Sequence, residues 1–398
     1  MPINRRIYMM DFKDITRNTI IDLNGFSKTK VDKEYKFFFD ETGNVRIFKL
    51  TDKGFNNNEN TNFILGGIVS EREISKQQID TLFSAFKMSK NLPEIKFKSF
   101  KGGSKNFVDL LKNKNFQALL DWILKNNIWI HWASMDNFYY STTDILDSLN
   151  LTGHINQSEL FVYKSLIYRS LKMNTNRAIA IFLRNGYPDV NNNKRFIKSI
   201  LKCIKDFRSS PLSNSFYPNL FEKNNIFDNL IQIFNQSSIN NLPFLTKNEE
   251  KKLIDEYNLI YQQRMVLFDK SSLYFDHELN VEREISKKTN IYDLQNIKFQ
   301  FLESTISKAK QNNEFVSEEK HKSIQISDCV VGSLGMFFEF LNINVSTHII
   351  DTSNWNTGQK ETYKKWITVL KLSKSENKAF TNYINDEFFV NKIESLIN

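Results

Sequence analysis

Two apolar runs near the start of the chain have the pattern of neighbouring strands in a buried sheet. The first run, residues 35–40, places Phe on both of its faces, which is typical of an interior strand. It ends at two adjacent carboxylates, Asp40 and Glu41, and a Thr-Gly-Asn turn follows. The second run, residues 62–69, comes after an Asn-rich loop. The pattern predicts two strands with an acid at the end of the first, although the acidic pair alone also fits a solvated hairpin turn.

Helical and strand periodicities alternate in the next part of the chain. Ser75 is suited to cap a helix, because apolar residues at helical spacing follow it. Residues 94–99 are a short alternating segment headed by Glu94. Residues 107–124 have a second amphipathic helical pattern, and residues 128–133 are an apolar strand. The apolar positions of the first helix are Ile79, Leu82, Phe83 and Phe86.

The middle of the chain has a different character, with amphipathic helical segments between polar loops. Helical periodicity is clear in residues 159–171, 193–207 and 247–263. Residues 178–183 are uniformly apolar, and fit either a strand or a turn of buried helix. The pattern predicts a large helical insertion over residues 143–265.

The strand pattern resumes after this insertion. Residues 272–276 are β-prone and end on Asp276, and residues 297–302 predict another strand. Residues 324–338 form an apolar helix rich in small residues, with Asp328 in its first turns. The long helical crossover between them permits the first strand and the strand at 272–276 to lie side by side and parallel.

Together these patterns predict an α/β fold, in which a mixed sheet is flanked by helices. The predicted divisions are an N-terminal extension (1–34), the first part of the core (35–142), the helical insertion (143–265), the second part of the core with its acidic helix (266–342), and a helical C-terminal region (343–398).

The composition indicates a globular protein and points to one kind of partner. The chain has 398 residues, of which 40% are apolar, and a formal net charge of +9 with a pI near 9.1. A basic balance favours a polyanionic partner such as nucleic acid. Cys203 and Cys329 lack the spacing of a metal site and fit a reducing cytosol. Because we find neither a signal-peptide pattern nor an apolar run long enough to span a bilayer, we predict a cytoplasmic protein without a membrane partner.

Three acids occupy similar positions on apolar elements. Asp40 and Asp276 end apolar strands, and Asp328 lies near the start of an apolar helix. Each alone is explained as a turn residue or as an acid favoured by a helix dipole. If parallel strands bring them together, however, clustered carboxylates need a cation, and oxygen ligands select Mg²⁺ or Mn²⁺. Such a site indicates hydrolysis of phosphodiester bonds, which is nuclease chemistry.

The same segments resemble the bacterial domain-of-unknown-function 3800 family, which is similar to ribonuclease H in fold. The resemblance covers residues 35–342 and is broken by the insertion. It departs from the family pattern at Thr42, where Ser is commoner. A ribonuclease H core would also place its helix glutamate after the third strand, whereas Glu94 precedes it. The matching segments are Asp-Glu-Thr-Gly (40–43), Leu-Gly-Gly-Ile-Val (65–69), Glu-Ile-Lys (94–96), Phe-Asp-His-Glu (275–278) and Ile-Gln-Ile-Ser-Asp-Cys-Val-Val-Gly (324–332).

This resemblance implies a ribonuclease H-like sheet and a specific set of site residues. Glu41 and Lys96 would lie close to the metal, and Glu41 is a further candidate ligand. Family members often occur in mobile-element and phage-defence loci, which implies such a setting here. The implied catalytic and metal-binding acids are Asp40, Glu94, Asp276 and Asp328.

A few other residues are candidates for binding substrate. Lys96 and Lys98 alternate after Glu94 and are suited to neutralise a phosphate, although solvated lysines are the common alternative. His321, seven positions before Asp328, is suited to transfer a proton, or is a solvated loop residue.

From the sequence we therefore expect a metal-dependent nuclease acting on RNA or DNA. The alternative is a non-catalytic module that binds nucleic acid or protein through its insertion, and a third possibility is an effector that a partner activates. The insertion is also a plausible site for a protein partner or a homodimer.

Overall fold

A computed structural model describes residues 12–88, 94–149, 155–236, 242–246, 251–254, 257–277, 293–294, 297–298, 313–316, 321–346 and 350–398. The described strands are β1 (Lys36–Thr42), β2 (Phe48–Thr51), β3 (Gly54–Phe55), β4 (Asn62–Ser70), β5 (Trp129–Asp136), β6 (Lys252–Ile254), β7 (Ser272–Asp276), β8 (Asp293–Leu294), β9 (Ile297–Lys298), β10 (Asn313–Val316) and β11 (Thr381–Ile384).

The described helices fall before, within and after the insertion. They are α1 (Phe12–Leu23), α2 (Lys28–Val31), α3 (Lys76–Ala85), α4 (Phe97–Lys101), α5 (Phe107–Leu110), α6 (Lys114–Asn126), α7 (Asn137–Leu149), α8 (Gln157–Lys172), α9 (Thr175–Asn185), α10 (Asn193–Arg208), α11 (Pro211–Phe216), α12 (Leu220–Gln236), α13 (Asn258–Leu267), α14 (Lys322–Ile343), α15 (Thr357–Glu376) and α16 (Glu387–Ile397). Short 3₁₀ turns occur at Pro243–Leu245 and Lys378–Phe380.

A six-stranded mixed sheet forms the centre of the protein, in the order β10-β7-β1-β4-β5-β11. Strand β4 is antiparallel to β1 and β5, while β7 is parallel to β1, β10 to β7, and β11 to β5. The first strand and the strand at 272–276 are therefore parallel neighbours, the arrangement that the long crossover permits. Because every strand except β4 points the same way, the C-terminal ends of β1, β5, β7, β10 and β11 lie along one edge of the sheet. We call this the carboxyl edge.

The structure corrects several details of the predicted elements. Residues 94–99 do not form an extended segment, because the helix α4 begins at Phe97. Residues 178–183 lie in the helix α9. Ile297 and Lys298 pair with β8 in a separate hairpin, residues 299–302 lie outside the described part, and β10 is the strand beside β7.

The C-terminal region is mainly helical, as expected, with α15 and α16, but it also includes a strand. It contributes β11 to the sheet, where Thr381–Ile384 pairs with residues 132–135 of β5. Arg264, in α13, fixes this addition because its guanidinium donates to the carbonyls of Ala379 (2.7 Å), Phe380 (3.1 Å) and Trp132. A buried guanidinium that satisfies three backbone carbonyls holds the turn before β11 against the sheet.

Each face of the sheet is covered by its own apolar core. Phe38, Ile64 and Ile68 face the core that contains α14 and α15. Phe37 and Phe39 face the opposite core, which contains residues of α13. This alternation follows from the two-residue period of a strand, and it explains why β1 is apolar on both faces.

The insertion has a third core of its own, built from helices α7 to α12. Its link to the sheet includes a buried ion pair, in which Arg169 Nε donates to Asp386 Oδ1 at 2.8 Å. The helix predicted over residues 247–263 is instead the strand β6 followed by α13, with residues 247–250 and 255–256 outside the described part.

The long helix α14 lies unusually close to the sheet. The Ser327 hydroxyl donates to the Phe38 carbonyl at 2.8 Å and accepts from the Ile68 N–H at 3.2 Å. A Cβ on Gly67 would lie 2.2 Å from the Phe38 carbonyl oxygen and 2.4 Å from Ser327 Oγ, and one on Gly335 would lie 3.1 Å from Thr42. The small residues along α14 and β4 are therefore required by this close approach.

One prediction follows from the space around Gly67. Its φ is +149°, and an added methyl group would overlap the backbone of β1. We expect Gly67→Ala to lower the free energy of unfolding by about 2–4 kcal/mol, through steric overlap and backbone strain. Gly103→Ala is the matched control, because nothing lies within 4 Å of the Cβ it would add. Equal urea midpoints for the two variants would contradict the packing described here.

Candidate active site

Asp40 and Asp276 are brought together by the register of two parallel strands. The last paired residues of β1 and β7 are Phe39 and Phe275, and each acid comes next in its strand. Phe38 and Tyr274 stack with ring centroids 5.2 Å apart, so these two side chains share a face. Since alternate residues of a strand share a face, Asp40 and Asp276 lie on that face as well, at the carboxyl edge.

Asp328 approaches the same place from the helix α14. Its position is set by the preceding residue, because Ser327 is hydrogen-bonded to β1. One carboxylate oxygen, Oδ2, accepts from the Phe97 N–H at 2.6 Å. Burial raises the pKa of Asp328 despite this hydrogen bond and the nearby Lys96, and the negative charges of Asp276 and Glu94 raise it further. Asp328, Asp276 and Glu94 therefore form one electrostatic cluster.

Glu94 reaches the cluster through a chain segment held against α14. The Ile95 N–H donates to Gln325 Oε1 at 2.9 Å, one turn before Asp328. The Lys96 ammonium lies 4.0 Å from Glu94 Oε1, and both side chains are partly exposed. Lys96 also lowers the pKa of Asp328. The segment thus adds one acid and one cation to the site.

Glu41 lies next to Asp40 in sequence but faces the other side of the sheet. Its carboxylate accepts hydrogen bonds from the Tyr261 hydroxyl and from Asn44 Nδ2, the latter at 2.8 Å. Tyr261 belongs to the core on the face opposite α14. The structure therefore places Glu41 on the opposite side of the sheet from the other four predicted metal-binding acids. These acids are Asp40, Glu94, Asp276 and Asp328.

The remaining predicted residues lie at the margin of the site. The His321 ring is stacked on Tyr274, with centroids 6.1 Å apart. His321 directly precedes α14, two helical turns before Asp328, so it lies beside the cluster rather than within it. Lys98 is exposed on α4, and within the described residues no ion pair joins it to these acids.

The sequence analysis missed a second acidic group at the carboxyl edge. Asp136 ends β5, and its carboxylate accepts from the Tyr168 hydroxyl (2.6 Å) and the Tyr139 N–H (2.8 Å). Burial raises the pKa of Asp136. Asp386 follows β11 and pairs with Arg169. The sequence did indicate Asp136, since it ends an apolar strand as Asp40 does. In the structure, however, Asp136 and Asp386 are both already paired with protein groups.

The acids on the α14 side suit a hard divalent cation in their chemistry. They are all carboxylates, and the pKa of Asp328 is raised first by burial and further by the charges of Asp276 and Glu94, which a bound cation would offset. Among the described residues, no group of three or more His, Cys, Asp and Glu side chains is already arranged to hold a metal ion. Binding would therefore require the side chains of Asp40, Asp276, Asp328 and Glu94 to turn toward a shared ion.

Comparisons with known proteins leave this site without a family assignment. No protein-family model matches the chain, no curated protein matches it, and no solved structure matches it. One described helix, α14, is long and apolar enough to cross a membrane, but 72% of its apolar window is buried inside the protein.

The raised pKa of Asp328 predicts how its charge affects stability. Because the folded state holds the proton more tightly than the unfolded state, ionisation of Asp328 destabilises the fold as the pH rises above the ordinary aspartate value of about 4. We expect Asp328→Asn to be more stable than wild type at pH 7 in chelator, and the difference to vanish below about pH 4. The amide keeps an acceptor for the Phe97 N–H.

Thermal unfolding of both proteins from pH 3 to pH 8 measures this difference. Asp121→Asn is the control, because Asp121 is an exposed acid paired with Lys365 on the surface. If Asp328→Asn is no more stable than wild type at pH 7, the raised pKa of Asp328, with its origin in burial and in the neighbouring acids, is wrong.

Proposed function

We propose that the protein is a metal-dependent nuclease with a ribonuclease H-like core. The topology supports the fold: β1, β4 and β5 form an antiparallel meander, and β7 and β10 add in parallel beside β1. That strand order is the one expected of a ribonuclease H-like sheet. Strand β11 and the insertion are additions to such a core.

The observation that carries the proposal is that acids from three separate elements lie close enough to interact electrostatically on the α14 side of the sheet. Asp276 on β7 and Glu94 before α4 both raise the pKa of Asp328 on α14, after burial. Acids that only stabilise a fold are usually paired with cations or hydrogen-bond donors, as Asp386 is with Arg169. Acids that repel one another across a partly buried site are typical of a functional site.

Each residue has a defined role in the proposed reaction. Asp40, Asp276, Asp328 and Glu94 would hold Mg²⁺ or Mn²⁺ and so position the scissile phosphate at the carboxyl edge. When bound, the cation would supply Lewis-acid stabilisation of the phosphodiester oxygens and lower the pKa of water. Lys96 would place its ammonium against a non-bridging phosphate oxygen. His321, at the margin, would accept or return a proton.

The second candidate is a module that binds nucleic acid or protein without cleaving it. Two observations favour it: the acids are not grouped as ligands among the described side chains, and the insertion has a separate core suited to present a surface. An effector that requires a partner to arrange the acids is consistent with the same observations.

Cleavage of labelled oligonucleotides tests the nuclease directly. Single-stranded RNA, single-stranded DNA, duplex DNA and RNA–DNA hybrid would be incubated with Mg²⁺, with Mn²⁺ and with chelator. We expect metal-dependent cleavage that Asp40→Asn and Asp276→Asn each reduce by more than about 100-fold, beyond the loss typical of residues that only support a ligand. Asp121→Asn, which changes an exposed acid on α6, should cleave as wild type does.

The effect of Mg²⁺ on the unfolding temperature shows whether a variant has lost cation binding, independently of whether it cleaves. Millimolar Mg²⁺ should raise the unfolding temperature of wild type, because a ligand of the folded state stabilises it, and should not raise that of Asp40→Asn. Cleavage that persists in both aspartate variants would overturn the proposed site. Absence of both cleavage and stabilisation by Mg²⁺ would favour the non-catalytic module.

A further inference from the structure

The helix α10, in the insertion, presents a row of four lysines to solvent. Lys194, Lys198, Lys202 and Lys205 are all exposed, at intervals of four, four and three residues. Residues three and four apart lie on one face of a helix, so the four ammonium groups form a continuous stripe. We call these four residues the lysine ridge.

The ridge is held in place by the opposite face of the same helix. That face is fully apolar and packs into the core of the insertion. Its buried residues are Phe196, Ile197, Ile200, Cys203, Ile204 and Phe207. Because the apolar face fixes the rotation of α10, the lysines cannot turn away from solvent without unfolding the insertion.

Positive charge is concentrated on this helix far beyond the general basic character of the chain. Six basic residues and one acid give α10 a formal charge of +5, whereas the whole chain has +9. A basic composition spread evenly along the sequence would not place more than half of the net charge on 16 residues.

Among the described residues the ridge lysines form no ion pairs, although neighbouring basic residues do. Arg177 pairs with Asp206 at 2.6 Å, and Arg208 pairs with Asp228 at 2.6 Å. Within the described part of the chain, no carboxylate forms an ion pair with any of the four ridge lysines. Asp206 and Asp228 thus pair with arginines. Among the described residues, the four ridge lysines have no carboxylate partner.

The dimensions of the ridge suit a phosphate backbone. From Lys194 to Lys205 the helix rises about 16 Å at 1.5 Å per residue. A segment of that length extends past several phosphates of a nucleic-acid backbone, each of which carries one negative charge. An anionic membrane fits less well, because a helix that lies on a bilayer inserts its apolar face, and that face of α10 is buried.

We propose that the lysine ridge of α10 binds the phosphate backbone of a nucleic acid. This inference rests on the proposed nuclease function for the identity of the bound polymer as substrate, but the binding itself requires no cleavage. Lysines bind phosphates as point charges, so the ridge would hold substrate without reading its sequence.

Salt dependence of binding, measured in chelator so that no cleavage occurs, tests the proposal. The probes would be fluorescein-labelled 20-nucleotide single-stranded DNA and the matching duplex, followed by anisotropy from about 50 to 200 mM salt. Each phosphate contact contributes about 0.9 to the slope of log affinity against log salt for duplex, and about 0.7 for single strands. We expect Lys198→Gln/Lys202→Gln to weaken binding about 10-fold and to lower the slope by about 1.4–1.8.

Lys360→Gln/Lys364→Gln is the matched control. These two lysines are exposed at the same four-residue spacing on α15, outside the insertion, so the variant loses the same charge elsewhere. We expect it to keep the wild-type slope. All three proteins should unfold at the same temperature, because the substituted side chains are exposed.

Three results would overturn the proposal. The first is an equal slope for the ridge and control variants, and the second is wild-type protein that binds neither probe. The third is loss of binding to phosphatidylserine vesicles in the ridge variant while oligonucleotide binding is unchanged. If the wild type cleaves nothing yet shows the ridge-dependent slope, the nuclease proposal fails and the ridge stands.

Discussion

The hydroxyl of Ser327 joins the long helix α14 to two backbone groups of the central sheet, the carbonyl of Phe38 and the N–H of Ile68. This contact requires α14 to lie almost on the backbone of β1 and β4, which the missing side chain of Gly67 makes possible and that of Gly335 favours. The next residue, Asp328, is thereby fixed beside the carboxyl edge. The helix cannot move outward to relieve the repulsion among the acids without breaking buried hydrogen bonds, so the fold itself maintains the unfavourable charge.

Two groups of acids lie at the carboxyl edge, and they differ in what balances their negative charge. Asp136 and Asp386 are buried, and their partners Tyr168 and Arg169 come from the insertion, so they join two parts of the protein. A buried ion pair such as Arg169 with Asp386 adds little net stability, but it fixes how the insertion sits on the sheet. The acids beside α14 have Lys96 nearby as a cation, and it leaves the pKa of Asp328 above its ordinary value. In the first group, protein groups pair with each acid, whereas in the second group the pKa of Asp328 stays raised.

The sequence predicted those elements whose pattern is long and apolar, and failed where strands are short or contacts are distant. The strands β1, β4, β5 and β7 and the helix α14 have apolar runs that few other structures explain. Strands β10 and β11 have only four residues each, of which the first two are polar, so only the tertiary pairing identifies them. The separation of Glu41 from Asp40 was predictable, because consecutive residues of a strand face opposite sides. The pairing of Arg169 with Asp386, 217 residues apart, was not.

The insertion that carries the lysine ridge joins the core at the same edge of the sheet as the acids. Helix α7 begins directly after Asp136, at the carboxyl edge, and β6 returns to pair with β2, which follows the Asp40 turn. The insertion therefore departs from and returns to the edge where Asp40 and Asp276 lie. The core of the insertion holds α10 by its apolar face, and the pair of Arg169 with Asp386 anchors that core to the sheet. If the ridge binds a nucleic acid and the acids cleave it, binding energy from the insertion would position a distant phosphate at the acidic edge.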